Sequence, residues 1–497
     1  MSASARIIGN FVDGDYTTPD SAELIDRHAP GTDEVVSKVV ASSPEAVDAA
    51  ISAARVAFDS GPWPRTTGME RAIILNRLAD LIDRDAAELA RLDSEEGGKP
   101  IILAEGDIAG AAGLCRYAAA LALNMQGKTF TNNGPDFTGL VLREPVGVVG
   151  LIIPWNFPAL ILCQKLPFAL AAGCTVVVKP SEFTSSSAWA IMKLVAEAGV
   201  PDGVVNMVAG AGATGQALTE SPKVDLVSFT GSTVTGRRVL AAAAGNMKKI
   251  SLELGGKAAN VVFADADLED AAGGVLFGMN FNNGECCVSQ PRLLVQDTVA
   301  DEFVAEVARR VARLKVGQPL DRSTEIGALI HAGHLEKVNS YAESAPSHGA
   351  TVVLGGTRLT GGEYGKGQFL SPTIIDKVPS TSSAFTDEIF GPVLTVTRFA
   401  DAAEAIRLAN SVEYGLSNSV WSKNLDTVLD TAKALRSGTV YANTTIDAPP
   451  QMPFGGYKAS GIGREMGEAG FEEFTELKSV NIRTGSRAGS FAIPATR

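Results

Sequence analysis

Histidine is scarce in this chain, with four in 497 residues. Only His331 and His334 share a helical i,i+3 spacing, and no cysteine or carboxylate cluster accompanies them. A zinc site needs three or four convergent ligands, so no metal is expected. Cysteine is scarce too. Cys115, Cys163, Cys174, Cys286 and Cys287 make five, few and odd in number for this length, which suits a reducing compartment better than a disulfide framework. A basic excess is missing, since Asp and Glu total 56 against 43 Lys and Arg, for a net charge of −13. Nucleic acid and anionic membrane both need a basic footprint, so neither is an expected partner. No apolar run approaches bilayer-spanning length, and no apolar leader segment follows Met1-Ser2-Ala3-Ser4-Ala5-Arg6. The expectation is a cytoplasmic protein.

What is present is ordinary globular material, 45% hydrophobic and 20% charged, in a chain too long for one core, so two or more domains are expected. Residues 1 to 40 read as short surface strands broken at Asp13-Gly14 and Pro30-Gly31. Ser43-Pro44 opens a helix with Val47, Ile51, Ala54 and Phe58 on one face. Further helices are expected from Gly68 to Leu92 and from Ile102 to Leu123. Thr129 to Leu142, turning at Asn132-Asn133-Gly134-Pro135, reads as a projecting hairpin that needs a partner. After Pro145 the rhythm is strand, helix, strand. Val146–Ile153, Cys174–Val178, Val204–Val208 and Val224–Phe229 are apolar runs of the kind buried in a parallel sheet. A second α/β unit begins near Gly255, and the whole reads as a doubly wound α/β protein.

Several stretches offer chemistry beside a plain structural reading. In Asn280-Phe281-Asn282-Asn283-Gly284-Glu285-Cys286-Cys287-Val288, a cysteine held in a polar loop is a candidate nucleophile. Residue type alone equally allows a packed, inert thiol. Phe229-Thr230-Gly231-Ser232 meets a helix start, where free N–H groups favour a phosphate, or it is a simple strand-to-helix turn. Lys179 and Glu182 stand at the carboxyl end of a strand, placed for ribose hydroxyls or for solvent. Asn156, between Trp155 and Phe157, offers a fixed amide donor for an oxyanion. Glu253, set among leucines and glycines, suits a general base with raised proton affinity.

Eight motifs in order carry a resemblance. They are Pro154-Trp155-Asn156-Phe157-Pro158, Lys179-Pro180-Ser181-Glu182, Phe229-Thr230-Gly231-Ser232, Glu253-Leu254-Gly255-Gly256-Lys257, Gly284-Glu285-Cys286-Cys287, Glu388-Ile389-Phe390-Gly391-Pro392, Pro453-Phe454-Gly455-Gly456-Tyr457-Lys458 and Ser460-Gly461-Ile462-Gly463-Arg464-Glu465. Over nearly its whole length the chain resembles the NAD(P)-dependent aldehyde dehydrogenase superfamily, of the hydrolytic rather than the CoA-acylating type. The resemblance implies that Cys287, not Cys286, attacks the aldehyde. Asn156 and the Cys287 N–H would hold the oxyanion, and Glu253 would activate water against the resulting thioester. It further implies a proton relay through Lys165 and Glu476.

For the cofactor, the resemblance implies NAD, with NADP less favoured because Glu182 would repel a 2′-phosphate. It places Ile152, Pro154, Trp155, Lys179, Ser181, Glu182, Gly212, Phe229, Gly231, Ser232 and Leu254 around the dinucleotide, and Glu388 and Phe390 at the nicotinamide end. Ile161, Gln164, Val288, Asp447 and Ala448 correspond to the substrate tunnel. Neither Ile161 nor Gln164 is aromatic, which disfavours a trimethylammonium substrate. The small Ala448 suggests a roomy mouth for a medium or bulky aldehyde, aliphatic or aromatic.

The implied architecture is a Rossmann-type NAD-binding domain (1–125 and 146–254), an α/β catalytic domain (255–445) and a β oligomerisation element (126–145 and 478–497). Residues 446–477 would return to the first domain and the tunnel wall, and the assembly would be a homodimer or homotetramer. Glu285 departs from the commoner glutamine, and its charge is expected to raise the Cys287 pKa if the side chains approach. The competing readings are a CoA-acylating relative, which generally lacks the Glu253 carboxylate, and a cysteine esterase or amidase, for which no histidine lies in the motifs. An inactive binding protein on the same scaffold is the third.

Overall fold

A computed structural model of the chain describes residues 5–18 and 23–484. Its central sheet has eight strands, and the five that position the site lie side by side in the order Lys249–Glu253, Leu226–Thr230, Val148–Ile152, Thr175–Lys179, Val205–Met207. All four of their pairings are parallel. Val148–Ile152 comes first in the chain among these five, and later strands are added on both sides of it. The direction of winding therefore reverses beside it, and at such a switch point the loops part to leave a crevice at the carboxyl ends of the strands. These strands are mostly apolar and largely buried because helices cover both faces.

A second sheet of seven strands draws all its members from Ala259–Val262 to Thr439–Ala442. A smaller, three-stranded sheet pairs Phe137–Pro145 with Lys128–Phe130 on one side and with Thr475–Arg483 on the other. That last strand begins at Thr475, three residues before the expected 478. The expected tail from 485 to 497 lies outside the described residues.

Two local expectations need correction, and one helix was not expected. The single helix expected from Gly68 to Leu92 is two, Gly68–Arg84 and Ala86–Gly97, parted at Asp85, whose φ of −99° and ψ of 13° leave the helical region. The N-terminal strands are not all superficial. Asn10–Val12 pairs antiparallel with Val205–Met207 in the main sheet, because Phe11 has a core to enter. The helix Pro158–Ala172 shows no amphipathic stripe in sequence because nearly every residue in it is buried, and a helix surrounded by core has no polar face to reveal its period.

Candidate active site

The cysteine loop is held by its asparagines. The helix Leu268–Asn280 ends, and Asn282 and Asn283 follow at φ of 52° and 59°. Asparagine tolerates this left-handed region better than most residues. Their side chains then clamp the turn. Asn283 Nδ2 donates to the carbonyls of Gly98 and Ala328, its Oδ1 accepts from the Gly327 N–H at 2.7 Å, and Asn282 Nδ2 donates to the carbonyls of Asn156 and Glu285. Gly284 follows at φ 73°, packed so close to Gly391 that a Cβ there would overlap backbone. Cys286 is buried and Cys287 is partly exposed, and both line a cavity of about 340 Å³. Contact with the Cys286 sulfur, then burial, then the carboxylates of Glu388 and Glu253 hold the Cys287 thiol well above its ordinary pKa.

Asn156 follows the strand Val148–Ile152 and its Nδ2 donates to the Glu285 carbonyl at 2.9 Å. An amide nitrogen carries two protons, so one is left for another acceptor. Glu253 ends the strand Lys249–Glu253 and lines the same cavity as Cys287. Neither of its oxygens has a hydrogen-bond partner among the described residues. Burial first, and the Glu465 carboxylate second, push its pKa well above the usual carboxylate range. The glycines after it bring the two segments together, since a Cβ on Gly256 would run into the Cys287 carbonyl.

Lys165 is fully buried, and its ammonium meets the Glu465 carboxylate and the Ser228 hydroxyl. Here the expected relay partner is corrected. Glu476 lies on the outer sheet with its side chain 59% exposed, and its ion-pair contact is Lys249 at 3.9 Å. It sits on a solvent-facing position of Thr475–Arg483, whereas Glu465, at the end of the last motif, turns inward and lines the cavity.

Ile161, Gln164, Val288 and Ala448 line the cavity. Asp447 is not among its lining residues. Its side chain is exposed, between Ile446 and Ala448, which face inward. The wall also contains Phe157, Phe281, Tyr441 and Phe454, which sequence reasoning did not assign to it. Neither were Gly106, Gly110 and Gly113 of the helix Ile101–Ala122. Their i, i+4, i+7 spacing puts them on one helix face, a signal visible in the sequence. A Cβ on Gly106 or Gly113 would meet nothing within 4 Å, so these glycines widen the cavity.

A second cleft of about 620 Å³ opens at the switch point, and Thr230 lines both spaces. Ile152, Pro154, Trp155, Lys179, Ser181, Glu182, Gly212, Phe229, Gly231 and Ser232 line it. Lys179 is buried, with its Nζ 3.4 Å from Glu182. Leu254, Glu388 and Phe390 are not part of this lining. Leu254 packs beneath Gly236 of the helix Thr233–Ala243. Glu388 accepts from the Gly256 N–H at 2.7 Å, and burial raises its carboxyl to about 6. Phe390 stands edge-on to Trp155, with centroids 5.4 Å apart. Among the described residues, no helix is long and apolar enough to cross a membrane.

The Glu285 expectation also needs correction. Its carboxylate points away from the thiol, accepting from the Ile330 N–H at 2.9 Å, and it is not among the groups that shift Cys287. With the side chain turned to the opposite side of the loop, a direct effect of its charge on the Cys287 pKa has no geometric basis.

A deep crevice at the switch point of a parallel sheet, joined through one threonine to a cavity that holds a thiol, is the arrangement of an enzyme that pairs a nucleotide-sized ligand with covalent chemistry. The comparisons with known proteins name it. The model of the aldehyde dehydrogenase family matches residues 16–480. Betaine aldehyde dehydrogenase of Bacillus subtilis is 43% identical over 475 residues, covering 95% of this chain and 97% of its own. The crystal structure of an NAD-dependent aldehyde dehydrogenase from Sinorhizobium meliloti superposes with a TM-score of 0.95 at 46% identity, covering 98% of this chain and 96% of its own. A betaine aldehyde dehydrogenase from Staphylococcus aureus, solved in complex with NAD+, has a TM-score of 0.95 at 37% identity, covering 97% and 96%. The chain belongs to the aldehyde dehydrogenase family, and it is an aldehyde-oxidising enzyme.

Proposed function

We propose that the protein oxidises a medium or bulky aldehyde to a carboxylic acid with NAD, through a thioester on Cys287. The observation that supports this reading is that Cys287 and the unpartnered Glu253 carboxylate line one cavity, with the Asn156 amide tied to the cysteine loop at the Glu285 carbonyl and the nucleotide-sized cleft reached through Thr230. The residues present fit a dinucleotide. The Ser232-capped start of the helix Thr233–Ala243 suits a pyrophosphate, and Lys179 with Glu182 suits ribose hydroxyls. The negative charge of Glu182 disfavours a 2′-phosphate, which makes NADP the weaker cofactor.

The Cys287 thiol loses its proton to solvent, and the thiolate adds to the aldehyde carbonyl. The free Asn156 N–H and the Cys287 N–H stabilise the oxyanion. Bound NAD supplies the hydride acceptor that turns the thiohemiacetal into a thioester. Glu253 then takes a proton from water, and the hydroxide releases the acid. Lys165 and Glu465 stand behind Glu253, and Glu465 acts on its charge directly.

For the substrate, the glycine face and aromatic walls support a longer aliphatic or an aryl aldehyde. The absence of aromatics at Ile161 and Gln164 speaks against a trimethylammonium group, although Phe157, Phe281, Tyr441 and Phe454 bring rings to the same space. One assay separates these readings. NADH formation is followed with acetaldehyde, hexanal, benzaldehyde and betaine aldehyde, with NAD or NADP, with and without CoA. Hexanal and benzaldehyde are expected to exceed acetaldehyde about tenfold or more in kcat/KM. Acetaldehyde or betaine aldehyde in the lead would overturn the substrate reading, and a requirement for CoA the hydrolytic one. Faster turnover with NADP would overturn the cofactor preference.

The same reading includes a homo-oligomer, supported by the outer edge of Thr475–Arg483 and the exposed apolar side chains Phe130, Leu142, Leu477 and Ile482 on this small sheet. Leu477→Asp is expected to lower the mass seen by light scattering. A wild-type mass for that variant would remove this sheet from the interface.

A further inference from the structure

Glu285 takes no part in the chemistry above, yet it is buried two residues before the nucleophile. Its surroundings show what it touches. The backbone carbonyl accepts from the Nδ2 groups of both Asn156 and Asn282. The side chain reaches the opposite way. Oε1 accepts from the Ile330 N–H at 2.9 Å and lies 3.6 Å from Nε2 of His334.

His334 is itself a junction. It sits in the first turn of the helix Ala332–Ser344, where the His331 ring accepts its backbone N–H. Its Nε2 lies 2.7 Å from the Phe390 carbonyl. A carbonyl only accepts, so Nε2 carries the proton and donates it. Burial pushes the imidazole down to about 4, so the ring is neutral at physiological pH and one tautomer satisfies the contact. The imidazole also packs edge-on against Trp155, centroids 5.8 Å apart, the residue before Asn156. One turn later Lys337 donates to the Glu388 carbonyl at 3.1 Å.

Phe390 adopts φ 64°, a conformation that costs a bulky residue on the order of 1–3 kcal/mol and persists only where its surroundings impose it. The His334 donor and the neighbouring Trp155 ring are in contact with it here. Two charges act on the Glu285 carboxylate, those of Lys99 and Arg27. Burial nevertheless pushes the group well above the usual carboxylate range.

We infer that Glu285 and His334 form a positioning pair that locks the cysteine loop and the Asn156 amide to the Glu388–Phe390 segment, so that nucleophile, oxyanion donor and nicotinamide end are held in one register. Neither residue touches the reacting atoms. The pair acts through the Phe390 backbone on one side and through the Glu285 carbonyl on the other. The inference rests on the reading of Glu388 and Phe390 as the nicotinamide end of the cofactor site.

The test is steady-state and single-turnover kinetics on the full-length protein. His334→Ala is expected to raise KM for NAD about tenfold or more and to slow hydride transfer, because displacements near 1 Å at a reacting centre cost rate steeply. The rate of Cys287 alkylation by iodoacetamide should stay at the native value, which a general loss of folding would not allow. His334→Gln, which restores an N–H toward Phe390, should recover most of the loss. Glu285→Ala removes the oxygen that accepts from the Ile330 N–H, and with it the tie between the cysteine loop and the start of the helix that carries His334. It should move KM for NAD in the same direction, and the double variant with His334→Ala should be no worse than His334→Ala alone.

A native KM for NAD and a native hydride-transfer rate in folded His334→Ala would overturn the inference. Should that variant not fold, Glu285→Ala decides, and a native KM for NAD there overturns it as well. Glu388→Gln is the control for the underlying reading. If it leaves KM for NAD unchanged, the assignment of the nicotinamide end fails; if it raises KM while His334→Ala does not, only the positioning pair fails.

Discussion

Cys287→Ala is expected to lower aldehyde-dependent NADH formation by about 10⁴-fold or more while the protein stays folded, since removing a covalent nucleophile disables every later step. Retained folding is expected because the side chain faces the cavity, and the loop is held by Asn282, Asn283 and Gly284 rather than by this thiol. Cys286→Ala is the matched control. That thiol is buried in the core, so its loss is felt as packing and should leave a working enzyme. The native protein carries a pH signature as well. With no cofactor bound, the Cys287 thiol is held up by Cys286, burial and two carboxylates, so it is protonated at neutral pH. Iodoacetamide should therefore alkylate it slowly at pH 7 and faster as pH rises, with a midpoint above that of a free thiol. NADH formation in Cys287→Ala at a native rate would sink the mechanism, and rapid alkylation at pH 6 would sink the electrostatic account.

Glu253→Gln is expected to split the reaction in two. Acylation needs Cys287 and the oxyanion donors, whereas deacylation needs a base for water. The variant should release a burst of NADH and then turn over about 10²–10⁴-fold more slowly than the native enzyme, the range for losing a positioned base. A thioester-bound acyl group should be visible on the intact protein by mass. The pH dependence of native deacylation follows from burial and the Glu465 charge, which raise the Glu253 pKa. A carboxyl with a raised pKa is protonated and inactive as a base below that value, so deacylation should rise with pH through it and level off above. A Glu253→Gln protein with the native steady-state rate, or without a burst, would remove Glu253 from the second half-reaction.

Most of the nucleotide half of the fold is legible before any coordinates. The apolar runs of Val148–Ile152, Thr175–Lys179 and Leu226–Thr230 announce buried parallel strands, and the Asn132-Asn133-Gly134 turn announces its hairpin. The helix Pro158–Ala172 is hidden for a physical reason, because complete burial erases the periodicity that reveals an amphipathic helix. The exchange of Glu476 for Glu465 has a similar cause. Both are glutamates near the C-terminus, and nothing local distinguishes a carboxylate on the solvent face of a strand from one folded inward onto Lys165.

The sequence by itself determined the residue types of the chemistry and their order along the chain. It supplied a thiol after a glycine turn, a carboxylate before paired glycines, an asparagine between aromatics, and left-handed positions filled by Asn and Gly. Those are local properties, set by side-chain chemistry and backbone sterics. Only the tertiary structure decided which way each side chain points, and direction depends on contacts between residues far apart in sequence. That is why Glu285, beside the nucleophile in sequence, acts on Ile330 and His334, and why Gly106, Gly110 and Gly113 shape the space in front of Cys287.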